Sequence, residues 1–247
     1  MGHKLLLMRH GQSEFNNLNI FCGWLDAHLT PKGQDQARSS AELIKQFDLI
    51  PDHVFTSKLT RTCQTARIIM EQLDREWIDV DKSWRLNERH YGALQGRDKS
   101  QVLAELGEEE YMHVRRAYDG VPPLVEHEGD RSLDDRYKDV LKELPKGESL
   151  QMVIERLEPY LKSQVLPVLQ SGKIVLIVAH GSTVRAVLKV VKGLSEEEIK
   201  NVNIPNGIPM CLEVDDHLRS IGRDFYLDPE DAKKRAAEVA KEGFSSI

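Results

Sequence analysis

Two histidines follow apolar runs that predict buried strands. The runs 5–8 and 174–179 lead to His10 and His180, and a glycine comes after each histidine. Short apolar runs of this kind are typical of inner strands in a covered sheet, and ligands gather beyond the carboxyl ends of such strands. A neutral imidazole can attack phosphorus when its other ring nitrogen is held, for example by a backbone carbonyl. We therefore predict one shared site with His10 as the nucleophile; the alternative is that each histidine is a structural residue at the sheet edge.

Arginines near these positions could supply the charge that phosphoryl transfer needs, because the transferred group carries negative charge on its oxygens. Arg9 and Arg185 flank the histidines, and Arg61 lies at a predicted helix start, where free backbone N–H groups also attract anions. Asn16, in the polar loop after the first strand, could add a neutral donor. Taken singly, each arginine could equally form a surface ion pair.

The segment 86–92 mixes acidic, basic and aromatic residues with neither the helical nor the strand period. Negative charge nearby disfavours an ionised carboxyl group, so Glu88 beside phosphates would suit a general acid and base. The alternative is a surface ion pair between Glu88 and Arg89. Arg115 and Arg116 could bind a second anion or form a solvated face, since neighbours on a helix point about 100° apart.

The order of elements predicts an α/β fold with a mostly parallel central sheet and helices on both faces. Thr30 and Pro31 indicate one helix start, Ser195 and Glu198 form a capping box, and Asp228 begins a C-terminal helix. The stretch of about 98–149 resembles an insertion, helical in its first half and with an exposed loop at 126–135. We expect a single domain over 1–247, with Gly11 allowing a tight turn beside His10.

Composition excludes several classes of partner. Of the 247 residues, 34 are basic and 40 acidic, so the net charge of -6 gives no general attraction to nucleic acid or anionic membranes. The three cysteines form no CxxC pair, which favours a reducing compartment and no zinc site. The run 5–8 is too short for a signal peptide or membrane span. We expect a cytoplasmic protein.

Residues 7–13, Leu-Met-Arg-His-Gly-Gln-Ser, resemble the signature of the histidine phosphatase superfamily. Further segments resemble one branch of this superfamily, the cofactor-dependent phosphoglycerate mutases. These segments are 21–24, 83–96, 115–116, 122–123, 148–150 and 179–181. The whole resemblance spans about 4–243. It implies an isomerase of glycolysis and gluconeogenesis that interconverts 3-phosphoglycerate and 2-phosphoglycerate. The expected ligands are small phosphorylated three-carbon acids, the primer is 2,3-bisphosphoglycerate, and no metal is needed.

The same resemblance assigns roles to individual residues. It implies that His10 becomes a phosphohistidine and that Glu88 moves the proton of the substrate hydroxyl. The residues implied to hold the transferring phosphoryl group are Arg9, Arg61, Asn16 and His180. Those implied to bind or line the rest of the substrate are Cys22, Gly23, Tyr91, Lys99, Arg115, Arg116, Gly181 and Ser182. The tail, about 228–247, resembles a mobile segment that covers the site and limits loss of phosphate to water.

Some positions depart from the family pattern. Gln12 and Phe15 replace a usual glutamate and tryptophan, and Ser182-Thr183 replaces Asn-Ser; Ser182 would suffice if only its backbone N–H binds phosphate. The loop 126–135 is shorter than usual, so homodimer and homotetramer both stay open. Three rival functions also remain: a bisphosphoglycerate mutase, which usually has serine at the position of Gly23, a broad phosphomonoesterase, and a catalytically silent phospholigand-binding protein.

Overall fold

A twisted sheet forms the centre of the protein in the computed structural model, which describes residues 2–126, 134–140, 144–222 and 224–244. The strands within these ranges are β1 (His3–Arg9), β2 (His53–Thr56), β3 (Val80–Lys82), β4 (Val175–Ala179), β5 (Met210–Val214) and β6 (Phe225–Tyr226). They pair in the order β3-β2-β4-β1-β5-β6. The pairings among β1 to β4 are parallel, whereas β5 is antiparallel to β1 and to β6. The prediction of a mostly parallel sheet is confirmed.

The two central strands bring the histidines together. β1 and β4 pair in register, with Arg9 opposite Ala179, so the next residues along the two strands are His10 and His180. The backbone N–H of His10 donates to the carbonyl of Ala179 over 3.0 Å. Because the strands are parallel, both histidines leave the sheet at the same edge.

Alternation along β1 divides the core into two layers. Leu5 and Leu7 pack with helices on one face, and Leu6 and Met8 pack with helices on the other. Side chains of successive strand residues point to opposite faces, so an unbroken apolar run requires cover on both sides. The helices are α1 (Glu14–Asn17), α2 (Pro31–Gln46), α3 (Thr60–Gln72), α4 (Lys99–Leu106), α5 (Glu108–Arg116), α6 (Leu150–Tyr160), α7 (Leu166–Gln170), α8 (Gly181–Lys192), α9 (Glu196–Lys200) and α10 (Pro229–Ala240). Residues of α2 and α3 cover the Leu6 face, and residues of α6 and α8 cover the other.

Helix starts follow the predicted caps. The hydroxyl of Thr30 accepts from the N–H of Gly33 at the start of α2, and Ser195 forms the capping box with Glu198 in α9. The carboxylate of Asp228 accepts from Asp231 at the start of α10. Each cap satisfies N–H groups that have no partner within the helix.

Several features depart from the sequence-based picture. The polar loop after β1 contains the single turn α1, and α6 and α7 are joined by a π-helical turn, Leu161–Val165. Pro167 follows this turn and lacks the N–H that an α-helix would use, which accounts for the local change in hydrogen bonding. Most of the predicted exposed loop, 127–133, lies outside the described residues.

The segment from 98 to 116 forms a small separate layer near the sheet edge. In it α4 and α5 contribute Val102, Tyr111 and Val114 to an apolar cluster with Phe21 and Leu94. The first half of the predicted insertion is therefore helical, as expected. In the described ranges, no helix combines the length and the apolar character required to span a bilayer.

Candidate active site

His10 is buried at the end of β1 and is held in one orientation. Its side chain lines a cavity at the sheet edge, although the residue is only 2% exposed. Nδ1 lies 2.6 Å from the carbonyl oxygen of Gly11, which can only accept, so Nδ1 must carry the proton. Burial, then the charges of Arg61 and Arg9, lower the pKa of His10 well below that of an ordinary histidine. The neutral ring therefore has its lone pair on Nε2, as a nucleophile requires.

His180 lies directly beside His10 but does not line the cavity. The two ring centroids are 5.2 Å apart in an edge-to-face arrangement. Nε2 of His180 is 2.8 Å from the hydroxyl of Ser57, which also contacts Thr62 and accepts from the N–H of Leu59. Nδ1 is buried and has no hydrogen-bond partner among the described residues. Burial and the charge of Arg61 also lower the pKa of His180, so this pair of rings is uncharged near neutral pH.

Two arginines place positive charge around His10. Arg61, in the first turn of α3, donates to the carbonyls of Leu25 and Gly23 over 3.1 and 2.8 Å. Arg9 donates from Nη1 to the carbonyl of Ile204, while its buried Nε has no partner in the described part of the chain. Both side chains are buried, so the alternative of a surface ion pair is wrong for both. Carbonyls orient the guanidinium groups without neutralising their charge.

Glycine at position 11 is needed for close packing and not for a turn. The φ of Gly11 is not positive, and a Cβ built there would lie 2.2 Å from the carbonyl oxygen of Gly33. Backbone atoms cannot move aside as a flexible side chain can. The expectation of a tight turn at Gly11 was therefore wrong: the residue allows the strand end to approach the start of α2.

Glu88 is a buried carboxylate, and the surface pair with Arg89 is wrong. Oε1 of Glu88 accepts from the backbone N–H groups of Arg89 and Ser182, over 2.8 and 3.1 Å. The guanidinium of Arg89 instead donates to the carbonyls of Gly120 and Arg115, over 3.4 and 3.1 Å. Two backbone donors thus hold one oxygen of Glu88, while its side chain still lines the cavity.

An ion pair behind the cavity holds the irregular segment that carries Glu88. Arg156 of α6 binds Glu148 through Nε and donates to the carbonyls of Arg85, Asn87 and Glu88. The same carboxylate of Glu148 accepts from the N–H of His90. Because the segment has no regular ladder of its own, these bonds satisfy its backbone groups. Sequence reasoning did not single out Arg156.

The start of α8 forms one wall. The backbone N–H of Ser182 donates to Oε1 of Glu88. This N–H is therefore not free to bind phosphate, the contribution expected of Ser182 from the sequence. Its hydroxyl lies 3.3 Å from the hydroxyl of Tyr91. Gly181 precedes it at the beginning of the helix and lies close to the guanidinium of Arg9.

The opposite end of the cavity contains a second group of cations. Lys99, Arg115 and Arg116 are all buried, so the solvated-face alternative for the two arginines is wrong. Arg115 binds the carbonyl of Val239, and Arg116 lies 3.4 Å from the same oxygen. The carboxylate of Glu242 lies between Lys99 and Arg115. Burial is the main cause that lowers the pKa of Arg116, to about 9.

Of the residues predicted from the sequence, all except His180 line this one cavity. They are Arg9, His10, Asn16, Cys22, Gly23, Arg61, Glu88, Tyr91, Lys99, Arg115, Arg116, Gly181 and Ser182. Burial raises the pKa of the Cys22 thiol, which donates to the carbonyl of Leu25 and so lines the wall as a neutral group. The chemical role of each residue stays a prediction.

Sequence reasoning missed Glu242, Val239 and Ile204, which also line the cavity. Arg185, noted only as flanking His180, lies there too and donates to the carbonyls of Arg116 and Ile199. The resemblance of the tail to a covering segment pointed to the region of Glu242, but no local pattern distinguished its carboxylate. Among the described residues, no cluster of His, Cys, Asp and Glu has the composition of a metal site.

Solved structures share this fold. A protein titled mycobacterial hydrolase 1 aligns with a TM-score of 0.70 and 24% identity, covering 92% of this chain and 97% of that one. A mycobacterial glucosyl-3-phosphoglycerate phosphatase aligns with a TM-score of 0.65 and 24% identity, over 85% of this chain and 92% of its own. Fold and cavity together define an α/β protein with a cationic, histidine-containing site at the carboxyl edge of its sheet.

Sequence comparisons specify the family. The family model described as histidine phosphatase superfamily (branch 1) matches residues 5–146 and 142–223. Phosphoglycerate mutase 1 of Saccharomyces cerevisiae is 47% identical over 243 residues, 97% of this chain and 98% of its own. The 2,3-bisphosphoglycerate-dependent phosphoglycerate mutase of Nocardia farcinica is 46% identical over 245 residues, 98% and 99% of the two chains. The chain belongs to the phosphoglycerate mutase family of the histidine phosphatase superfamily.

Proposed function

We propose that the protein is a 2,3-bisphosphoglycerate-dependent phosphoglycerate mutase, an isomerase of glycolysis and gluconeogenesis that interconverts 3-phosphoglycerate and 2-phosphoglycerate. The observation that carries the proposal is the state of His10. Its ring is buried, neutral and held at Nδ1 by the carbonyl of Gly11, with Arg9 and Arg61 supplying positive charge beside it. Relatives named as such mutases are 46% and 45% identical over 98% of this chain.

The residues of the cavity fit a ligand with two or more anionic groups. At the inner end, the buried Nε of Arg9 has no partner in the described ranges, and neither has Nδ1 of His180, which lies beside His10 but outside the cavity wall. At the outer end, Lys99 and Arg115 already hold a carboxylate, that of Glu242. Buried polar atoms of this kind are costly unless something binds them. When bound, 2,3-bisphosphoglycerate supplies the phosphoryl group that primes His10.

The chemistry proceeds in two transfers. Once primed, His10 carries a phosphoryl group on Nε2. In the first transfer, the free hydroxyl of 3-phosphoglycerate forms a bond to this phosphorus while the bond from phosphorus to Nε2 breaks, and Glu88 takes the proton of the hydroxyl. In the second transfer, Nε2 forms a bond to the phosphorus of the original ester while its bond to the ester oxygen breaks, and Glu88 gives that oxygen the proton. Arg9, Arg61, Asn16 and His180 stabilise the charge on the transferring phosphoryl oxygens, which is where most of the catalytic effect is expected.

The remaining cavity residues bind and enclose the substrate. Lys99, Arg115, Arg116 and Tyr91 are proposed to bind its carboxylate and its second phosphate, since guanidinium and ammonium groups suit both. Walls without charge limit the size of the ligand, and they consist of Cys22, Gly23, Gly181 and Ser182. Gly23 has a φ of +56°, and a Cβ there would lie 2.0 Å from Oε1 of Gln95. The positive φ disfavours serine at position 23, the residue usual in the rival bisphosphoglycerate mutases.

Intact-mass measurement after brief exposure to 2,3-bisphosphoglycerate tests the proposal. We expect one added, acid-labile phosphoryl group on the wild type and none on His10→Ala, together with loss of mutase turnover in that variant. His217→Ala, at an exposed histidine, serves as the matched control and should behave as wild type. The mechanism is wrong if no phosphate is added and turnover survives in His10→Ala. Mutase, synthase and phosphatase rates measured on one preparation would separate the rival enzymes.

We further propose a cytoplasmic enzyme that folds as one domain over 1–247 and assembles as a homodimer or a homotetramer. The unpaired cysteines support the location. Light scattering coupled to size-exclusion chromatography measures the mass of the assembly directly, and a monomer would contradict the proposed assembly.

A further inference from the structure

The tail of the chain places an acid on the outer cations of the cavity. Glu242 lies just after α10, and its Oε2 is 2.6 Å from Nζ of Lys99 and 2.7 Å from Nη2 of Arg115. The backbone carbonyl of the same residue accepts from Nη1 of Arg115 over 2.8 Å and from the hydroxyl of Tyr111 over 3.1 Å. One residue of the tail thus makes four polar contacts with three side chains of α4 and α5.

The three side chains form a charged cluster with little access to water. Their exposed fractions are 8% for Lys99, 6% for Arg115 and 19% for Glu242. Burial opposes ionisation of Glu242, but the charges of Lys99 and Arg115 outweigh it and hold the pKa of this carboxyl well below its usual value. Glu242 is therefore an anion at every pH at which the enzyme would work.

The cavity behind this cluster is small in the present conformation. Its volume is about 60 Å³, well below the ~300–1,000 Å³ of typical ligand clefts. Glu242 lines both this cavity and a neighbouring groove formed with Lys32, Gln36 and Arg235. Glu242 therefore lies at the boundary of the two spaces, as Asn16 and Val239 do, and a ligand anion that binds Lys99 and Arg115 must displace its carboxylate.

We propose that Glu242 is an internal stand-in for the substrate carboxylate, which occupies the Lys99–Arg115 pair until ligand displaces it. This inference rests on the proposed function for the identity of the ligand. Its physical basis is competition between two anions for one pair of cations. The apparent affinity for ligand equals the affinity of the open form multiplied by the fraction of molecules in which the pair is open. Ligand binding and release of the tail near Glu242 are then two parts of one equilibrium.

The proposal predicts that Glu242→Gln binds 3-phosphoglycerate more tightly than the wild type. Glutamine keeps the size of the side chain but removes its charge, so it competes poorly with an anion. We expect about a tenfold lower dissociation constant in titration calorimetry, the factor that one charge-assisted hydrogen bond typically accounts for. Glu238→Gln removes the same charge from an exposed position one turn earlier and should bind as the wild type does.

Stability without ligand separates competition from a structural role. Removing the charge of Glu242 leaves Lys99 and Arg115 buried without an anion, so the melting temperature of Glu242→Gln should fall. If Glu242 had only a structural role, Glu242→Gln would bind ligand more weakly or with unchanged affinity. The proposal instead requires that this variant be less stable and bind ligand more tightly. In the wild type, 3-phosphoglycerate should also increase hydrogen exchange at the amides of 241–244.

Equal or weaker binding by Glu242→Gln, or unchanged exchange in the tail when ligand is bound, overturns the inference. Calorimetry and exchange do not require turnover, so the two proposals can fail separately. Absence of a phosphohistidine would contradict the proposed function and leave the competition at Lys99 and Arg115 intact. Normal mutase turnover with wild-type affinity in Glu242→Gln would contradict only the role of Glu242.

Discussion

Replacing Arg156 should cost more stability than any surface ion pair of this protein. Its guanidinium lies 2.7 Å from Oε1 of Glu148 and donates to the carbonyls of Arg85, Asn87 and Glu88 over 2.6, 3.0 and 3.0 Å. The side chains of the ion pair are only 8% and 7% exposed. Arg156→Met keeps much of the volume but leaves the carboxylate of Glu148 buried without a cation.

The expected loss in free energy of unfolding is about 3–5 kcal/mol, the cost of leaving one partner of a buried pair uncompensated. For a chain of this length each kcal/mol lowers the melting temperature by about 2–4 °C, so the fall should be about 6–20 °C. Urea unfolding followed by circular dichroism measures the free energy, and a thermal scan measures the temperature. Because Arg156 holds the carbonyl of Glu88, mutase turnover should fall as well.

Two further variants isolate the cause. Lys162→Met breaks an exposed pair with Glu158, whose side chains are 59% and 39% exposed, and should cost no more than about 1 kcal/mol. The double variant Arg156→Met with Glu148→Gln removes the unpaired charge, so it should be more stable than Arg156→Met alone. A loss below about 1 kcal/mol in Arg156→Met, or one equal to that of Lys162→Met, would refute the reasoning.

Two other predictions concern His10 and its neighbour. Burial, then the charges of Arg61 and Arg9, lower the pKa of His10, so the unfolded chain binds a proton near pH ~6.5 while the folded chain does not. The stability that neutral His10 contributes above that pH is therefore lost as the pH falls toward the pKa of His10 in the folded protein. Urea unfolding at pH ~7.5 and ~5.5 should show a smaller loss for His10→Gln than for wild type, and equal losses would contradict the shift. Gly11→Ala places a Cβ 2.2 Å from the carbonyl oxygen of Gly33. It should lower the free energy of unfolding by about 1–3 kcal/mol and lower kcat by moving the His10 ring. Unchanged stability and kcat would show that the backbone can yield.

Elements with a strong local pattern were predictable from the sequence. The unbroken apolar runs of β1 and β4 require cover on both faces, and caps such as Thr30 and Asp228 satisfy the first N–H groups of their helices. The short strands β3 and β6 were not predicted, because two or three residues are too few to establish a period. The antiparallel direction of β5 was also not evident, since direction depends on the path of the chain and not on local composition.

In the site, too, some features could be predicted from local sequence patterns and others depended on the tertiary structure. The His-Gly pairs at 10–11 and 180–181 indicated one shared position, because parallel strands that pair in register end at the same edge of the sheet. The tertiary structure decided that Gly11 serves close packing, that Arg115 and Arg116 are both buried, and that Glu242 binds Lys99 across 143 positions of the chain. Local patterns cannot determine such contacts, because several carboxylates of the tail are chemically equivalent and only the packing of α10 brings one of them to these cations.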